Sequence, residues 1–221
     1  MRMRFKPWAR PELEACPFFI GRPEEYIGKW HSLFPRRQPV ELELGCGKGF
    51  FLAGAAPANP QVNYIGVDVK DAVLGPAKRN IEKAFETAGR KPDNIILTAL
   101  NIERIADAMG PRDTVRRIDI NFCNPWPKVR HRKRRLTYPT RLEDYKTILE
   151  PGGELFFKTD DDELFADTLG YLAQCGFAVT EKTYDLHGDN WPGNILTEHE
   201  IIFLEKGVRI KALKAIFPGK S

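Results

Sequence analysis

The chain has 221 residues, of which 42% are hydrophobic and 29% charged, and carries a formal net charge of +4. That balance is the one of a soluble globular protein large enough to bury one substantial core, and it excludes a disordered chain. No stretch approaches the roughly 18 consecutive apolar residues of a spanning helix, which argues against a membrane class.

The start of the chain, MRMRFKPWARPEL, is basic and lacks the apolar run of a signal peptide. Residues 1–38, with their prolines and aromatics, read as an arm lying against a single domain that spans 39–221. From Pro39 onward strand-like and helix-like segments alternate, the pattern of an α/β fold with a mostly parallel sheet. PVELELGCG reads as a strand running into a glycine turn, and FFLAGAAP as the helix after it. NYIGVDV is the next strand, followed by a long helix, DAVLGPAKRNIEKAFETAG, closed by Gly89. NIILTALN and RRIDINFC are two more strands; LEDYKTIL is a helix stopped by the turn EPGG, and ELFFKT a fifth strand. DDDELFADTLGYLAQCG begins with acids that suit the positive end of a helix. FAVTEKTYDL and EHEIIFLEKG are expected as two strands pairing antiparallel at the sheet edge. Cys16, Cys46, Cys123 and Cys175 are too scattered for a zinc site or a disulfide framework, so a reducing cytoplasm is the expected compartment. The histidines at 31, 131, 187 and 199 show no paired ligand spacing, and no metal is expected.

Between its strand and its helix, ELELGCGKGFF sits where a glycine turn lets a cofactor approach the backbone. The glycines are Gly45, Gly47 and Gly49; a dinucleotide fingerprint wants its third glycine where this chain has Phe50. Asp68, ending the next strand, is positioned to accept from both ribose hydroxyls of a nucleoside. Glu43 could hold a cationic amino-acid group, directly or through water. These features fit S-adenosylmethionine better than NAD. Asn101 is either an adenine contact or a strand-ending turn residue, and a tight turn without any ligand is the plain alternative for the whole motif.

The second feature is INFCNPWPKVRHRKRRLTYP, residues 120–139, where a strand meets an Asn124-Pro125-Trp126 corner and then a dense basic run. Trp126 could wall a base pocket or simply anchor a packed loop. Lys128, Arg130, Arg132, Lys133, Arg134 and Arg135, with His131 among them, read as a grip on RNA phosphates. Arg2, Arg4, Lys6 and Arg10 form a second basic patch, and Asp160, Asp161, Asp162 and Glu163 an acidic one.

With ELGCGKG, YIGVD, NPWPKVRHRKRRL, GGELFFKTD and GNILTEHE in this order, the chain resembles the bacterial tRNA (guanine-N7-)-methyltransferases over nearly its whole length. The resemblance implies a Rossmann-like methyltransferase fold with a mostly parallel seven-stranded sheet and an antiparallel edge strand. It implies S-adenosyl-L-methionine as donor and tRNA as partner, with transfer to N7 of guanosine 46 in the variable loop. By motif, Glu43, Gly45, Gly47, Asp68, Asn101 and Asn124 fall at cofactor positions. Lys128, Asp160, Thr197, Glu198, His199 and Glu200 fall at substrate positions, and His131 and Arg134 at basic-run positions needed for activity or RNA binding.

Two residues depart from the family's pattern. Asn124 stands where the family usually has Asp, and His199 where it usually has an aromatic. Asn124 is the expected catalytic position all the same, because guanine N7 has a lone pair and no proton and its attack needs no general base. Asp160 and Glu200 are candidates to hold the guanine edge. An RNA-binding pseudoenzyme of the same fold stays open as the alternative. An amino-group methyltransferase, whose corner has a second proline, fits less well. Monomer and homodimer are both compatible with the sequence.

Overall fold

The computed structural model describes residues 5–219, so Arg2 and Arg4 of the basic N-terminal patch lie outside the described residues. The chain divides into two compact units, Met1–Asp113 and Thr114–Ser221.

The first unit contains α1 (Ala9–Glu14), β1 (Phe19–Ile20), β2 (Val40–Leu44), α2 (Phe50–Ala58), β3 (Asn63–Asp68), α3 (Asp71–Thr87) and β4 (Ile95–Ala99). Its strands are all parallel, in the order β1-β4-β3-β2. Near-continuous burial along β2, β3 and β4 is what parallel strands covered on both faces require. The segment expected as an arm is fastened to this unit. Gly75 of α3 lets α1 come so close that an added Cβ would meet that of Ala9 at 2.8 Å. Arg79 lies 3.8 Å from the centroid of the Trp8 ring and pairs with Glu12. Further on, the buried Trp30 donates its indole N–H to the Ala108 carbonyl at 2.8 Å.

The second unit contains β5 (Val115–Asn121), α4 (Pro139–Lys146), β6 (Leu149–Thr159), α5 (Asp162–Gln174), β7 (Ala178–Thr183), α6 (Glu198–Glu205) and β8 (Lys211–Ile216). Its strand order is β5-β6-β8-β7, with β5 and β6 parallel and β8 antiparallel to both neighbours. Phe156, Leu186, Ile210 and Ala212 form a core cluster against which Phe122, Trp191 and Phe203 pack. The mostly parallel α/β class with an antiparallel edge is therefore as expected. The described strands exceed the expected seven by one, the short β1.

Two expectations need correction. EHEIIFLEKG is not a strand: it folds as α6, and the antiparallel partner of β7 is β8, which the sequence reading left unassigned. The reason is local. Thr197 and Glu200 form a reciprocal capping box, and Gly207, at φ +66°, closes the other end with the Val208 amide bonded to the Phe203 carbonyl at 2.9 Å. These two stop signals outweigh a short apolar run. The EPGG segment, read as a turn, lies inside β6, whose register against β5 shifts between Val115 and Arg117. Among the described residues no helix is long and apolar enough to cross a membrane.

Candidate active site

In the first unit the glycine turn follows β2 directly. Gly45, Gly47 and Gly49 take φ of +82°, +54° and +69°, a region open to glycine at no steric cost. The amides of Gly45 and Cys46 bond the Val67 carbonyl at 2.9 and 3.0 Å, which fixes the turn to the end of β3. Gly49 is needed for packing, since a Cβ there would press the Ala77 Cβ at 3.0 Å. Around Gly47, by contrast, only the Gly45 carbonyl comes within 4 Å of an added Cβ. Asp68 accepts from the Gly47 amide at 3.1 Å and the Lys70 amide at 3.3 Å. Desolvation raises its carboxyl above the usual aspartate value, against the pull of those amides. Glu43 is only 3% exposed, at the C-terminal end of β2. The Cys46 thiol is held well above its ordinary value first by burial and then by the charges of Glu43 and Asp68, so two acids and the turn share one locality. Asn101 caps a short 3-10 helix, its Oδ1 accepting from the Glu103 amide at 3.1 Å, which leaves its NH2 for other contacts.

The corner belongs to the second unit and follows β5. Asn124 is exposed, and its Oδ1 accepts the Trp126 amide at 3.0 Å. On either side Phe122 and Trp126 have φ of +55° and +44°. Left-handed backbone at bulky residues costs on the order of 1–3 kcal/mol each and persists only where the surroundings impose it. Those surroundings include Arg135, whose side chain is fully buried and donates through Nε to the Pro125 carbonyl at 2.6 Å. Its other nitrogens pair with Asp167 and Glu163 of α5. The Asn124 and Pro125 oxygens, the acceptors an amino-group methyltransferase would turn to its target, are thus both engaged within the corner. The neighbouring Cys123 thiol, pushed up to about 12 by desolvation, is no nucleophile near neutral pH.

The basic run separates into ties and free cations. Arg132 and Arg135 both pair with Glu163 and Asp167, so these two do not belong to the expected phosphate grip. Burial makes Arg135 a positioning residue of the corner. Lys128, Arg130, Lys133 and Arg134 are exposed and have no acidic partner among the described residues. Arg134 lies 5.2 Å from the Trp126 ring centroid, and the His131 ring meets the same indole edge-on at 5.7 Å. Trp126 therefore joins the corner to the two basic-run residues singled out from sequence.

The three neighbouring aspartates likewise divide. Asp161 caps α5 through the Leu164 amide at 2.7 Å, and Asp162 pairs with Lys211 at 2.7 Å. Asp160, half-buried, has no partner for its carboxylate among the described residues, although its carbonyl accepts from Lys211. Glu200 is fully buried against Lys158 and bonds Asn194 at 2.7 Å and the Thr197 amide at 3.0 Å. Its carboxylate is committed to holding α6, which leaves Asp160 as the open carboxylate of the substrate set. His199, where the family usually has an aromatic, stacks nearly parallel on Phe122 with ring centroids 5.6 Å apart. Glu198 lies beside it in the first turn of α6.

A family model described as "Putative methyltransferase" matches residues 37–213. A tRNA (guanine-N(7)-)-methyltransferase of Clostridium beijerinckii is 56% identical over 216 residues, covering 98% of this chain and 99% of that one. One of Clostridium botulinum is 52% identical, again over 98% and 99%.

The chain belongs to the tRNA (guanine-N(7)-)-methyltransferase family.

A 16S rRNA (adenine(1408)-N(1))-methyltransferase from Catenulisporales acidiphilia, solved with cosubstrate SAM, shares the fold: TM-score 0.56 at 16% identity, over 97% of this chain and 92% of that one. Within this member of the family, sequence reasoning missed Phe122, Arg135 as a clamp, and the Lys158–Glu200–Asn194 network. Only the capping spacing of Thr197 and Glu200 gave a usable signal for the last of these.

Proposed function

We propose that this protein transfers a methyl group from S-adenosylmethionine to N7 of a guanosine in tRNA, guanosine 46 of the variable loop by its resemblance to the bacterial enzymes. The relatives' name supports the acceptor, and the SAM of the rRNA-modifying neighbour supports the donor. The residues of the first unit suit that donor. Asp68 offers a carboxylate to two ribose hydroxyls, Gly47 leaves the backbone open beside it, Glu43 offers a buried counter-charge for the amino-acid group, and Asn101 a free NH2 to the adenine edge. When bound, the cofactor supplies an electrophilic methyl group.

The observation that carries the reading is the corner. Asn124 accepts the Trp126 amide through Oδ1, a bond that requires an acceptor oxygen but no charge, so the turn is closed by a carboxamide as it could be by a carboxylate. Guanine N7 brings its own lone pair and no proton, and no residue has to remove one. What the corner must do is align the nucleophile, and alignment alone accounts for much of the rate advantage of a bimolecular transfer. Trp126, held by the Arg135 clamp, offers a face for the base, and Asp160 a carboxylate for its N1–H and N2–H edge. Lys128, Arg130, Lys133 and Arg134 serve the phosphates around it.

The test replaces one atom. A tRNA with 7-deazaguanine at position 46 keeps every hydrogen-bonding edge but N7; the expected result is binding without transfer, beside rapid labelling of the guanosine tRNA. Label in the deaza substrate would mean that another atom is methylated.

A further inference from the structure

Apart from the glycine turn, the first unit holds a basic cavity of about 670 Å³ lined by Lys29, His31, Ser32, Phe34, Arg37 and Arg112. Most of the described arginines are tied to carboxylates, among them Arg10, Arg36, Arg79, Arg90 and Arg104. Arg37 and Arg112 have no acidic partner among the described residues, a property they share with Arg130 and Arg134 of the basic run. Lys29 has none either. Cations that converge on one cavity repel each other, and the repulsion is relieved when an anion enters.

The cavity is also built. Asp113, only 1% exposed, takes the amides of Gly28, Trp30 and Gly110 at 2.5, 3.1 and 2.9 Å. Its charge is turned to these backbone donors, and the segment bearing Lys29 is locked to the one bearing Arg112. The Arg112 guanidinium lies across Gly28, whose φ is +75°; a Cβ there would meet Nε and Nη2 at 2.8 Å. His31 Nδ1 is buried and has no hydrogen-bond partner among the described residues. Phe34, almost wholly buried, makes an apolar wall that strengthens the field inside. Guanidinium forks take phosphate and carboxylate oxygens alike in pairs, and of the two it is phosphate that a tRNA backbone presents.

We infer that this cavity binds a phosphate of the tRNA backbone, a second anion site that shares no residue with the basic run. The inference rests on the tRNA reading given above. It is tested by measuring the affinity of unmodified tRNA across a salt series for the parent, the Arg37→Gln/Arg112→Gln pair and Lys29→Gln alone. Thermal unfolding and cofactor affinity serve as folding controls. The expected result for the pair is about a tenfold weaker Kd and a salt dependence shallower by roughly one to two in log–log slope, the share of one or two lost phosphate contacts. Lys29→Gln should move both in the same direction by less, and it carries the test if the pair is unstable. Parental Kd and slope in folded variants would overturn the inference. So would tRNA affinity that stays parental while binding of AMP, seen with the parent, is lost, because the cavity would then serve a free nucleotide. Methyl transfer by the parent is measured in parallel: its absence counts against the proposed function, whereas unchanged RNA binding by the variants beside an active parent counts against the cavity alone.

Discussion

At Asn124 the carboxamide oxygen is committed to the Trp126 amide at 3.0 Å, so an Asn124→Asp substitution adds charge without having to remake the turn. A unit charge about 5 Å from the developing positive charge, at an effective dielectric near 20, is worth roughly 3 kcal/mol. Asn124→Asp should therefore raise kcat, by up to about a hundredfold if the whole effect is realised, with Tm unchanged. A variant no faster than the parent would show that charge at this corner contributes nothing. Asp68 gives a pH prediction. Its carboxyl is raised by desolvation, and under the proposed cofactor role the ionised form is the one that would accept from both ribose hydroxyls. Cofactor affinity should thus fall as pH is lowered through that raised value, earlier than for an ordinary aspartate, and Asp68→Asn should bind weakly with a flatter profile. The sign for the unliganded fold is opposite: the folded state holds this proton longer than the unfolded chain, so stability declines as pH rises from the ordinary to the raised value. Calorimetric titration and unfolding across that window read the two effects separately.

Among the elements, the 3-10 segment Val129–Arg134 and the arginine after it divide the labour of the basic run. Arg134 is exposed over Trp126, and Arg135 is buried beneath the corner. Arg134→Ala should weaken tRNA binding and reduce its salt dependence while Tm stays put. Arg135→Ala should cost about 3 kcal/mol, the low end for breaking a buried pair because Glu163 and Asp167 keep some access to water. Its loss of activity should follow from the released Pro125 carbonyl rather than from weaker phosphate contact. Equal losses of RNA affinity at unchanged Tm for both would contradict this division. α6 makes a related point about local signals. Its four apolar residues, Ile201, Ile202, Phe203 and Leu204, read as a strand by run length, yet the capping residues at its ends set its form.

Across the molecule, what the sequence revealed follows from how local each cause is. The glycine turn, Asp68 and the buried strands were legible because a left-handed turn, a strand end and a two-sided apolar run depend on adjacent residues. The ties of Arg132 and Arg135 were not, since their acids come from α5, 31 and 32 residues away. The basic cavity was hidden for the same reason: Lys29 and Arg112 are brought together by Asp113 accepting amides 83 and 85 residues distant in the chain. The left-handed backbone at Phe122 and Trp126 left no trace in residue type, because neither side chain favours that conformation. Asn124 was legible as a position, but its consequence was not, since only the structure shows the carboxamide completing the corner.

The most direct measurement incubates this protein with unmodified tRNA and methyl-labelled S-adenosylmethionine, then cleaves the RNA at 7-methylguanosine with borohydride and aniline. The expected result is label in the tRNA and one cleavage site in the variable loop, with Asn124 in place. Tight tRNA binding with neither label nor cleavage would contradict it and assign the protein to RNA binding without catalysis.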